Sequence, residues 1–199
     1  MSSGNPETRK RILKAALKLL EASRGKGVRM TDIAKRAGIT RQALYLHFST
    51  RAELLIETTY YLDEVKGSEE RLVPSRTAQT GIERLDAFIE AWGNYIPEIY
   101  GIAKALLAMR DTDEAAAKAW DDRMQDVRQG CEAAIDALNS DNMLSPDHSP
   151  DRATDILWTM LSVRNWEQLT IECGWPQERY IETLKSLARR IFVAEGPSN

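Results

Sequence analysis

The sequence predicts an all-α fold of about nine helices: an N-terminal three-helix unit built on a helix-turn-helix, then a larger helical domain. Three observations predict it. Apolar residues recur at helical spacing along nearly the whole chain, and no window keeps a period-two alternation rich in β-branched residues. Capping residues, glycines and prolines punctuate that pattern where helices should start and stop. The charge is also divided. Residues 1–51 hold twelve Lys and Arg against three acids (Glu7, Glu21 and Asp32), a balance of +9, whereas the remainder is net −12.

The first helix should run from Pro6 to Ala22, with Asn5 as its cap and Ile12, Ala16, Leu19 and Leu20 as its apolar stripe. "SRGKG" ends it. A second helix covers Met30 to Ala37 and stops at Gly38. A third follows Thr40, a good cap residue, and ends near Phe48. Thr50-x-x-Glu53 is a capping box that opens a fourth, reaching Lys66. The polar stretch Gly67 to Thr80 reads as a break. Thr80-x-x-Glu83 then starts a helix to Ile96, Pro97 starts another to Met109, and Asp111-x-x-Glu114 caps a long one to Leu138. Ser149 and Pro150 should open a helix to Glu172 or Cys173, Gly174 ends it, and Pro176 starts the last, to near Val193, before an expected disordered "EGPSN" tail.

Composition narrows the function. With 43% hydrophobic and 29% charged residues, the 199-residue chain suits an ordinary core. No apolar run of membrane-spanning length and no signal-peptide pattern is present, so no membrane association and a cytoplasmic location are expected. Cys131 and Cys173 lack a His or Cys neighbour at ligand spacing, so reduced thiols are expected, with no metal and no cofactor.

A +9 segment of about fifty residues is the electrostatic footprint of phosphate binding. Within it, Ile33, Ala34, Ala37, Ile39, Leu44 and Phe48 would form a small core, with Gly38 reversing the chain between two helices. Leu44 and Phe48 point inward at i, i+4, which leaves Arg41, Gln42, Tyr45 and His47 on outward or flanking positions. Arg41 and Gln42 can bond guanine and adenine edges bidentately, and Ala43 can touch a thymine methyl. Thr40, Tyr45 and His47 can donate to phosphates, and Arg51 in the first turn of the fourth helix is a candidate phosphate clamp. The expected partner is double-stranded DNA.

"RILKAALKLL", "MTDIAKRAGITRQALYLHFSTRAELL" and the helix order resemble the tetracycline-repressor (TetR) family of bacterial regulators. The stretch from Ile33 to Leu54 carries the specific part of the likeness; the rest matches in helix pattern, length and the "GW" before the last helix. The resemblance implies a homodimer on a pseudo-palindromic operator and a C-terminal domain that binds a small-molecule effector and releases the DNA. It implies a 1–52 DNA-binding domain and a 53–199 ligand-binding and dimerisation domain. Arg29 stands where the family usually starts its second helix with Ser or Thr, so either Arg29 or Thr31 takes that phosphate contact. Gln42-Ala43 replaces the common Gly/Thr pair.

All five tryptophans fall within residues 80–199. An apolar cavity between helices would use such side chains together with Met and Cys. By the family resemblance that pocket lies among the fifth to eighth helices, with Phe88, Trp92, Tyr100, Met124, Arg128, Cys131, Ser162 and Asn165 as its expected lining. Ile181, Leu184, Ala188 and Ile191 form a stripe on the last helix, and Leu157, Leu161, Gln168 and Leu169 offer a partner face on the one before. A two-fold seam of these helices is the expected dimer interface.

An enzyme fits poorly: neither histidine falls in the presumed cavity, and no glycine-rich phosphate loop or nucleophile elbow occurs. A helical adaptor would leave the basic head unexplained. Within DNA binding, the family resemblance favours a repressor released by an apolar or aromatic effector, with an activator or an effector-independent regulator as the alternative.

Overall fold

Ten α-helices form among the described residues, 5–23 and 28–194, of a computed structural model. Most of the "SRGKG" turn and the "EGPSN" tail lie outside the described residues. The helices are α1 (Pro6–Ser23), α2 (Met30–Ala37), α3 (Arg41–His47), α4 (Arg51–Lys66), α5 (Ser68–Arg76), α6 (Gly81–Met109), α7 (Glu114–Ser140), α8 (Pro150–Met160), α9 (Val163–Trp166) and α10 (Gln177–Phe192). A π-helical turn, Glu167–Glu172, continues α9. No strand forms among the described residues; Leu144 and Val193 make one isolated antiparallel bridge.

The chain divides into two compact units, one of residues 1–67 and 99–124, the other of residues 68–98 and 125–199. The first centres on Ile12, Ala16, Leu20, Ile33, Leu44, Phe48, Leu54 and Leu55, all fully buried, and includes Ile102, Leu106 and Ala116. The second buries Leu85, Ile89 and Ile96 of α6, Cys131 and Ile135 of α7, Leu157 of α8 and Tyr180 and Phe192 of α10.

Local chemistry sets the helix ends. Asn5 Oδ1 accepts from Glu7 N, Thr40 Oγ1 from Ala43 N, and Thr50 Oγ1 from Glu53 N, each at 3.0–3.1 Å. The return arm of the last box reaches one residue further back: Glu53 Oε2 accepts from Ser49 N and Ser49 Oγ. Ser49 is thereby the main reason the Glu53 carboxyl is held below its ordinary value. Gly38 takes φ +68°, the left-handed conformation that costs glycine nothing. Its N–H closes α2 onto Lys35 O, and that of Ile39 reaches Ala34 O.

Four expected elements differ. The stretch read as a break contains α5, which includes Pro74; its buried Ser75 donates to Arg84 O at 3.1 Å, and Arg71 pairs with Glu98. The two helices expected to meet at Pro97 are one continuous α6. Pro97 lacks the N–H that should serve Gly93 O four residues earlier, and Gln177 Nε2 serves it instead at 2.7 Å. The cap of α7 is Asp113, not Asp111: its Oδ1 accepts from Ala115 N and Ala116 N. The helix expected from Pro150 to Cys173 breaks at Leu161. Ser162 Oγ there accepts from Asn165 N at 3.2 Å and starts α9.

Candidate nucleic-acid interface and effector core

Two arginines that sequence reasoning did not single out fix the helix-turn-helix. Arg11 Nε donates to Ala37 O at 2.8 Å, and Arg9 Nη1 donates to His47 O at 2.8 Å. Each cation thus sits on the last carbonyls of α2 or α3, where the helix dipole is negative. The Arg9 guanidinium also lies 4.2 Å over the Phe48 ring and pairs with Glu57 at 3.1 Å. Both bonds span more than 25 residues, so nothing in the local pattern of α1 announces them.

With Leu44 and Phe48 fully buried, the opposite side of α3 is turned outward. Arg41 and Gln42 are exposed, Tyr45 is 39% exposed, and Ala43 and His47 are half-buried. The Arg41 guanidinium lies 5.5 Å from the centroid of the Tyr45 ring, one turn along the same flank. Thr40 accepts a cap bond yet keeps its hydroxyl proton for donation. Arg29 holds the N-cap position of α2 without a side-chain cap bond, and Arg29 and Thr31 are both exposed. Leu46 is the missed residue here: it is 83% exposed in the middle of this polar surface. Its angular position, about 200° round the helix from Leu44, was available to find it.

Arg51 is placed differently from the phosphate clamp expected of it. Nε donates to Val28 O at 2.9 Å and Nη1 to Asp113 Oδ1 at 2.6 Å, so these two donors face into its own unit. The partner carboxylate lies 62 residues away, beyond the reach of local pattern.

The expected effector-lining residues do not assemble into one unit. Tyr100 and Met124 belong to the first; Phe88, Trp92, Arg128, Cys131, Ser162 and Asn165 belong to the second. Phe88, Trp92 and Cys131 are buried, and burial pushes the Cys131 thiol up to about 12. Trp92 Nε1 donates at 2.7 Å to Leu161 O, a carbonyl at the broken end of α8. The polar groups of the others are engaged. Arg128 pairs with Asp155 at 2.9 Å, a bond that raises its guanidinium above the ordinary value. Ser162 caps α9, and Asn165 Nδ2 donates to Thr159 O at 2.7 Å. Tyr180, which sequence reasoning passed over, is fully buried with no hydrogen-bond partner for its hydroxyl.

The expected dimer stripe packs inside the chain. Leu157, Leu161, Ile181, Leu184 and Ala188 are all buried within the second unit. Part of this packing is a close approach to α6, where a Cβ on Gly93 would lie 2.9 Å from Ile181 Cγ1. The pair Arg189–Asp86 and the pair Lys185–Glu90 border that packing. Ile191 and Leu169 are half-buried and Gln168 is exposed, while Ile171 (59%) and Leu187 (41%) present apolar surface outward. Among the described residues no group of His, Cys, Asp and Glu is arranged to hold a metal ion, and no helix is long and apolar enough to cross a membrane.

Residues 12–58 match the family described as bacterial regulatory proteins of the tetR family. The chain is 26% identical to the HTH-type transcriptional regulator CymR of Pseudomonas putida over 87% of its length and 82% of that protein's. Two solved structures share its fold. NalD of Pseudomonas aeruginosa, the secondary repressor of the MexAB-OprM multidrug efflux pump, has a TM-score of 0.67 at 22% identity, with 96% of this chain and 98% of that one covered. SmeT in complex with triclosan has a TM-score of 0.69 at 18% identity, with 96% and 93% covered. An exposed polar face on a core-anchored second helix, in a match of this kind, defines a helix-turn-helix transcriptional regulator. Residues 12–58 carry the N-terminal domain of the tetR family of bacterial regulatory proteins, and the chain as a whole shares the fold of TetR-type regulators.

Proposed function

We propose that the protein is a ligand-responsive repressor. It binds a pseudo-palindromic operator as a homodimer through its 1–52 reading head, and a small molecule bound by the 53–199 body releases it. The observation that carries this reading is the outward set of α3: Arg41, Gln42 and Tyr45 are exposed on a helix anchored by the fully buried Leu44 and Phe48. Arg41 and Gln42 are the base-reading pair; Thr40, Tyr45, His47, Arg29 and Thr31 serve phosphates. Arg51 is left out of this set, because Val28 O and Asp113 hold its Nε and Nη1.

The effector proposed is uncharged and aromatic, with a hydrogen-bonding group. The second unit buries Phe88, Trp92 and Cys131, and its buried polar side chains beyond the aromatics are only Ser75, Ser145 and Thr154 among the described residues. An ion would enter that core unpaired, at large desolvation cost. The Tyr180 hydroxyl and His148 Nδ1 are its buried side-chain polar atoms without a hydrogen-bond partner among the described residues. Repression with effector release is supported by the repressor NalD and the triclosan-bound SmeT, whose fold the chain shares. The effector would act by favouring the conformation whose reading heads are wrongly spaced. A partner subunit would cover Ile171 and Leu187, next to Gln168, Leu169 and Ile191.

Selection of bound fragments from a random DNA library tests the reading. It should enrich an inverted repeat with half-sites at least roughly 34 Å apart. Failure to enrich any sequence would overturn it.

A further inference from the structure

We infer that Leu46 reads the 5-methyl group of a thymine in each half-site, beside the base that Gln42 reads; this rests on the DNA-binding reading above. Leu46 is 83% exposed, the highest value among the large hydrophobic residues that stand out in solvent. Counted at about 100° per residue from the buried Leu44, Gln42 and Leu46 lie at about 160° and 200°. They therefore flank the direction pointing straight away from the core, one turn or about 6 Å apart. The other polar groups stand to the side: Arg41 is drawn over Tyr45 at 5.5 Å, and the half-buried His47 lies on the far flank, where its carbonyl accepts from Arg9. The leading ridge of α3 is thus one carboxamide followed by one isobutyl group.

That ridge has a definite complement. A leucine side chain offers no hydrogen bond, so neither a phosphate nor a polar base edge gains from it. In the major groove the thymine methyl is the apolar feature on a base edge, and an apolar side chain there distinguishes thymine from cytosine. Gln42 pairs with adenine N6 and N7 in the same groove. A rise of about 6 Å along α3 puts the thymine within about two base pairs of that adenine.

Replacing thymine by uracil removes only the methyl and keeps every hydrogen bond. The experiment takes the operator selected by the full-length wild-type chain and substitutes uracil at each thymine in turn. Binding is then measured for wild type, Leu46→Ala and Gln42→Ala. Wild type should lose about four-fold in affinity at one thymine per half-site, the worth of one methyl group removed from water. Leu46→Ala should show no loss at that position, whereas Gln42→Ala should keep it. The uracil scan on wild type alone keeps the inference testable whatever the variants do. A selected operator that tolerates uracil everywhere, or that Leu46→Ala reads with an unchanged uracil loss, overturns this inference and leaves DNA binding intact. No selected operator at all overturns both.

Discussion

Gln177 Nε2 donates to Gly93 O at 2.7 Å, and Gly93 O is the carbonyl that Pro97 leaves without its helical donor. The same carboxamide accepts from Trp166 Nε1 at 2.9 Å. One side chain of α10 therefore mends the proline gap in α6 and fixes the indole at the end of α9.

Gln177→Ala should remove both bonds and lower stability by about 1–3 kcal/mol, because a buried carbonyl and a buried N–H lose their partners. Urea denaturation measures it. Pro97→Ala restores an N–H to α6, so it should recover part of the loss in the Gln177→Ala background; additive effects would show that the two residues are uncoupled.

Arg51 separates two accounts of the basic head. If its donors serve Val28 O and Asp113, Arg51→Ala should cost about 1–3 kcal/mol of stability and leave the salt dependence of DNA binding unchanged. A fall of about one unit in the salt slope, with stability intact, would return Arg51 to the phosphate backbone.

Tyr180→Phe deletes a buried hydroxyl that has no partner. Its melting temperature should rise, by the equivalent of about 1 kcal/mol. Effector-induced stabilisation should fall in the same variant. A lower melting temperature would mean that the hydroxyl is bonded in solution.

The Glu53 carboxyl is held below its ordinary value of 4.5, chiefly by the Ser49 hydroxyl. A group whose folded value is depressed contributes stability in full above its unfolded value and loses it as the pH falls through the folded one. Glu53→Gln should therefore be less stable than wild type near neutrality, and the two should converge as the pH falls below 4.5 through the depressed folded value. Chemical denaturation at a series of pH values reads the convergence; a gap that widens in acid would contradict the assignment.

The parts of this fold legible in the sequence are those governed by neighbours three or four residues away. The caps Asn5, Thr40, Thr50 and Ser149 and the left-handed Gly38 were readable because each acts on its own backbone. The inward Leu44 and Phe48 followed from period alone, and the exposure of Arg41 and Gln42 with them. What escaped was decided across the chain. The continuity of α6 depends on Gln177, 84 residues from Gly93, and the break after α8 exposes a carbonyl to Trp92, 69 residues away. The stripe of α10 was visible as apolar, but periodicity cannot tell a partner's surface from the chain's own α6. Leu46 carries no hydrogen-bonding group, so its side-chain chemistry does not mark it as a reader, whereas its exposure on the folded helix does.

The central claim is that the outward face of α3 reads operator sequence. Its most direct test is the base preference of Arg41→Ala and Gln42→Ala, measured against every single substitution of the selected operator. Each variant should lose discrimination at its own position, by about 1–3 kcal/mol, while the other positions keep theirs. Unchanged preference in both variants would contradict the account.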